Sequence, residues 1–289
     1  MNSTLKLWTQ LGLGTALAGG MLTACGGEAG EGAKTEAAAP GESGAAAGEG
    51  EGGAGAGESG PSAAAAEPGG EGEGGVAVAD AATDPVAYGI ALAVAEAHVI
   101  AARDAYQAGK KDAATEMFAH PVSEVLVEMD PVFAKLGVAD FKPLLTDAAT
   151  AAAEGKSVAE VGKHYDAIIV ALRGAANKAP KSDTPAAKVA AGVIADMIER
   201  SSTMYRASAK DDRYEPYLDG YGFAAVAKGV FATSGAAIKA DNPALYTHIT
   251  EALAVLAQAY PTATRPAKLT AAQGAVSAAS SKVMLAAGN

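Results

Sequence analysis

The chain has 289 residues and carries 33 acidic against 22 basic side chains, a net charge of −11. An acid-rich chain of this kind argues against nucleic acid as a partner. It holds one cysteine, which excludes an intramolecular disulfide and any centre built from several cysteines.

Residues 1–24 read as a targeting segment. Lys6 supplies a positive charge, and an apolar stretch runs from Leu11 to Met21. That stretch is well short of the ~20 apolar residues needed to span a bilayer, and it suits the central region of an export signal. It ends in Leu22-Thr23-Ala24-Cys25, which resembles the lipobox of bacterial lipoproteins. The resemblance implies cleavage before Cys25 and attachment of lipid to its thiol. Two or three acyl chains meet the requirement for stable anchoring, at ~0.8 kcal/mol for each buried CH₂ group. Gly26, rather than an aspartate, follows the cysteine. By the same resemblance this implies an outer-membrane protein facing the periplasm. Lipidation of Cys25 would leave the mature chain without a free thiol.

Residues 25–83 read as a lipidated cysteine followed by a disordered tether. Eighteen of the chain's 35 glycines lie in it, with ten glutamates against one lysine. A segment with almost no aliphatic side chain cannot bury enough apolar surface to offset its ordering entropy. The tether carries most of the negative charge, so the remainder from Asp84 onward is nearly neutral.

Residues 84–289 read as an all-α domain, a multi-helix bundle. Alanine is abundant and β-branched runs are scarce, which favours helix. Val161, Tyr165, Ile168, Ile169 and Leu172 recur at three- and four-residue spacing, as do Leu245, Ile249, Leu253 and Leu256; each set forms an apolar stripe. Asp84-Pro85, Thr184-Pro185 and Asn242-Pro243 place a capping side chain before a proline, and Ser157 with Glu160 forms a capping box. Gly109, Gly137 and Pro261 mark stops. The expected helices are 85–108, 111–119, 121–136, 141–154, 158–177, 185–209, 221–239, 243–259 and 268–286.

The halves 84–180 and 184–289 look related. Tyr106 and Tyr205 each lie near the end of a long helix. Twelve residues later comes an aromatic, Phe118 or Tyr217, and fourteen residues later a polar residue, His120 or Asp219. Matched spacing of this kind suggests duplicated helical units. The pattern, with the stretch Tyr217-Leu218-Asp219-Gly220-Tyr221-Gly222-Phe223, resembles the EfeO-type proteins and related periplasmic helical domains that accompany bacterial iron permeases. His248-Ile249-Thr250-Glu251 resembles the His-x-x-Glu of the imelysin-like branch, although Tyr246 stands where that branch has a glycine. The resemblance implies His248 and Glu251 as metal ligands and iron as the ion.

Apart from that resemblance, the best constellation is His120, Glu124 and Glu128, at i, i+4 and i+8 on one helix face. One imidazole and two carboxylates suit iron, zinc or manganese. The alternative is an N-terminal capping role for His120 before Pro121 and a solvated face for the glutamates. His164 is a further candidate from a facing helix. His98, beside a stripe of Val94, Ala101 and Ala105, reads as a satisfied structural histidine. There is no His-Glu-x-x-His, phosphate loop or Gly-x-Ser-x-Gly elbow, and the chain does not read as an enzyme. Two functions remain open. One is a lipid-anchored accessory of iron or other transition-metal uptake; the other is a non-catalytic helical scaffold that docks an envelope protein.

Overall fold

The computed structural model describes residues 75–210 and 212–288. The signal segment, Cys25 and nearly all of the tether lie outside the described residues. Nine α-helices occur among the described residues, with no strand, so the fold is all-α as the periodicity indicates.

The helix starts follow local chemistry. Asp84 accepts a hydrogen bond from the Val86 amide, and α1 (Pro85–Gln107) begins there. It stops at Gly109, whose φ of 77° reverses the chain. The helix α2 (Lys111–Pro121) runs into a π-helical segment, Val122–Leu126, followed by α3 (Asp130–Leu136). The helix α4 (Lys142–Ala153) leads to α5 (Val158–Ala176), which opens on the reciprocal Ser157–Glu160 capping box. The helix α6 (Ala186–Ser208) has Pro185, not Thr184, at its capping position. The helices α7 (Glu215–Asp241), α8 (Pro243–Ala259) and α9 (Gln273–Ala287) complete the chain.

Helices α1, α2, α4 and α5 pack in a closed ring, each against the next. Helices α6, α7, α8 and α9 form a second ring in the same order. The rings meet where α1 packs on α6 and α7, so α1 belongs to both interfaces. Its buried residues include Ala91, Ala93, Ala95, Ala97, Ala101, Ala102 and Ala105. Small side chains on every face let several helices approach it. By length and hydropathy α1 could cross a bilayer, yet its apolar side chains are mostly buried by the other helices.

The start of the fold and the start of α7 are among the boundaries that differ from the sequence reading. The fold extends upstream of Asp84: Val76 and Ala81 are buried in the core, and the Arg200 guanidinium donates to the Gly75 carbonyl. Helix α7 begins at Glu215 rather than at residue 221. Gly220 and Gly222 look like helix breakers, but they are sites of close approach. A Cβ at Gly222 would lie 2.3 Å from the Ala97 carbonyl oxygen, and one at Gly220 would lie 1.9 Å from the Tyr260 hydroxyl. Only glycine allows α7 to lie directly on the α1 backbone.

Candidate metal centre

Four polar side chains from four elements meet at the junction of the two rings. His98 comes from the middle of α1 and is 4 % exposed. His120 lies at the end of α2, Glu124 in the π-helical segment, and Asp219 in the second turn of α7. The His98 Nε2 atom is 3.4 Å from Glu124 Oε2 and 3.5 Å from Asp219 Oδ1. His120 Nδ1 is 3.6 Å from the other oxygen of Glu124. The two imidazole rings stand edge to face with centroids 5.7 Å apart.

The tautomer of His98 follows from its partner. Its Nδ1 lies 2.9 Å from the Val94 carbonyl oxygen. A carbonyl only accepts, so Nδ1 carries the proton and donates it. Nε2 therefore presents a lone pair to two carboxylates. This backbone bond is the usual way to orient an imidazole ligand and raise its basicity. Burial pushes the imidazolium form down, to a pKa of about 4, with the His120 and Arg200 charges adding to the effect. The His98 ring also packs edge-on against Phe223, which closes its apolar side.

Asp219 experiences the opposite shift. Burial pushes its carboxyl up to about 8, and the nearby charges of Glu124 and Glu215 push the same way. Its Oδ1 is buried without a hydrogen bond, and so is His120 Nδ1. A cation seated among these groups would offset the desolvation of the two unpaired atoms. Ligand atoms of His98, His120 and Glu124 lie within 4.8 Å of one another, and they are the one grouping of this kind found among the described residues. A tetrahedral ion with bonds of about 2.1 Å has ligand-to-ligand edges of about 3.4 Å. The separation of His98 Nε2 from Glu124 Oε2 matches that edge, while His120 Nδ1 faces the other oxygen of Glu124.

The π-helical segment decides which glutamate takes part. Pro121 has no amide proton to donate, and the chain widens beyond it: the Val127 amide bonds the Val122 carbonyl, five residues back, at 3.2 Å. Such bulges are frequent at functional sites. The i, i+4 relation of His120 and Glu124 survives, but the widened turn rotates the next position away. Glu128 is exposed and stands outside the cluster.

The other sequence-derived residues lie elsewhere. His164 is on α5, in a shallow depression with Asp147, Glu154, Glu160 and Lys163, and Glu160 is engaged in its capping box. His248 and Glu251 face each other on α8 at 3.8 Å, and Glu251 also pairs with Lys282 of α9. Neither set joins a third ligand to make a centre. His98 was read as structural because its neighbours on α1 are apolar, and nothing in one sequence says that α7 covers it. Asp219 did carry a signal: it holds the place in the second half that His120 holds in the first.

Comparison with known protein families, with curated proteins and with solved structures finds no match to this chain.

Proposed function

We propose that this chain is a lipid-anchored protein of the bacterial cell envelope whose helical domain binds a divalent transition-metal ion, as a non-enzymatic accessory of iron or other metal uptake. The observation that carries the binding reading is the convergence of His98, His120 and Glu124, whose ligand atoms lie within 4.8 Å of one another, with the His98 lone pair fixed by the Val94 carbonyl. Two imidazoles and a carboxylate suit iron, zinc, manganese or copper in the +2 state. The site is shielded by α1 and α7 but retains access from one side, where His120 and Glu124 are about a quarter exposed. A bound ion can therefore enter and leave, as a carrier requires. Convergence of these groups favours metal binding over an interaction scaffold, since the large exposed apolar side chains, such as Val127, Val170 and Leu285, form no continuous stripe in the sequence. The envelope location rests on the lipobox resemblance at Cys25, with the outer membrane and a periplasmic orientation suggested by Gly26.

The test is calorimetric titration of the full chain, purified in detergent, with ferrous, zinc, manganous and cupric ions. One near-stoichiometric site is expected, lost in His98→Ala and in His120→Ala. Both variants keep the glutamate-rich tether, so weak binding there cancels in the comparison. Absence of binding, or equal binding by all three proteins, overturns the reading.

A further inference from the structure

Resting on the metal reading, we infer that Asp219 is the fourth ligand, so that one ion joins the two four-helix rings. His98 and His120 come from the first ring and Glu124 from the π-helical segment that continues α2; Asp219 alone comes from the second ring. Three observations converge on this assignment. Asp219 Oδ1 is buried, has no hydrogen-bond donor, and lies 3.5 Å from the His98 Nε2 lone pair. Glu124 Oε2 and Asp219 Oδ1 flank the same His98 nitrogen, at 3.4 and 3.5 Å, so a cation at His98 would face both carboxylates. And α7 is held on α1 at Gly222, three residues from Asp219, by a backbone contact too close for any Cβ. The carboxylate is thus delivered to the cluster by a rigid contact rather than a loop.

The resulting donor set is two imidazole nitrogens and two carboxylates. It names the class of ion: zinc, ferrous or manganous, which accept mixed nitrogen and oxygen ligands, rather than cuprous, which prefers sulfur. Asp219 stands just outside the group of ligand atoms within 4.8 Å of one another, 3.5 Å from His98 Nε2, so its carboxylate moves toward the ion on binding. Since the ligands span both rings, binding stabilises the junction between them by mass action.

Cobaltous ion is a suitable probe, because its visible absorption reports coordination number and ligand type. The full chain in detergent, Asp219→Asn and His98→Ala would each be titrated with cobalt and then displaced with zinc. Circular dichroism and thermal melts of the metal-free proteins would establish that each is folded. The wild type is expected to give an intense four-coordinate band displaced by zinc. In folded Asp219→Asn the affinity should fall at least tenfold and the band should change in shape and intensity. Metal should also raise the melting temperature of the wild type more than that of Asp219→Asn. An unchanged band and affinity in Asp219→Asn overturns the fourth-ligand assignment while leaving the three-residue site. No cobalt band in the wild type overturns the metal reading and this assignment with it.

Discussion

At the scale of single residues, several tyrosine hydroxyls inside the bundle are paired with backbone carbonyls. Tyr88 donates to the Ala175 carbonyl, Tyr217 to Thr262, Tyr214 to Ala263 and Tyr260 to Ser201. Three of these four bonds hold 260–263, the stretch that follows α8. Tyr205 both donates to the Ala271 carbonyl and accepts from the Ala271 amide. These bonds explain why α9 starts at Gln273 rather than at the expected residue 268. Tyr205, Tyr214, Tyr217 and Tyr260 together make a packed joint. Burial pushes the hydroxyls of Tyr88, Tyr214 and Tyr217 up to about 12, and those of Tyr221 and Tyr260 higher still. An acid whose folded pKa is raised gives its full stability below the unfolded value near 10 and loses it as pH rises above that value. The domain should therefore lose helicity cooperatively between about pH 10 and 12, with tyrosinate absorbance rising in the same transition. A gradual rise in absorbance at constant helicity would contradict this arrangement.

At the scale of elements, the site depends on how closely α7 can lie against α1. Replacing Gly222 with alanine brings a methyl group to 2.3 Å from the Ala97 carbonyl oxygen, and a backbone atom has no rotamer with which to yield. The helices must separate or unfold locally, at a cost of about 1–3 kcal/mol for overpacking. The expected outcome for Gly222→Ala is a folded but less stable chain whose zinc affinity falls, although no ligand has been altered. Calorimetry beside a thermal melt checks both. Unchanged affinity would mean that Asp219 does not need this contact. The same pair of helices marks the limit of what the sequence discloses. Helix type and most boundaries were legible, because stripes and caps such as Ser157–Glu160 are local chemistry. So was the pairing of His120 with Glu124, one helical turn apart. The start of α7 was placed at residue 221 rather than at Glu215, because a glycine used for close approach looks the same in sequence as one used for a turn. His98 and Asp219, separated by more than a hundred residues, become neighbours only through that contact.

At the scale of the whole molecule, the location of the tether–domain boundary determines which residues stabilise the fold. Composition alone places the boundary at Asp84, since 25–83 is rich in glycine, alanine and glutamate. Yet Val76 is 2 % exposed and Ala81 fully buried, and a short 3₁₀ turn, Asp80–Ala82, packs them against α1 and α3. Arg200 fixes the start of this stretch through the Gly75 carbonyl while also pairing with Asp196 on α6. The boundary was hidden because valine and alanine are too few there to show a period. If residue 76 belonged to a solvated tether, Val76→Asp would be neutral. As part of the core, it should lose the ~1.5–3 kcal/mol gained by burying a valine and add the cost of a buried charge. At roughly 2–4 °C per kcal/mol for a domain of this size, the melting temperature of the full chain should drop by at least several degrees. Gly70→Asp, placed within the acidic segment upstream, is the control. Equal melting temperatures for both variants would move the boundary back to Asp84 and make the Arg200–Gly75 contact dispensable.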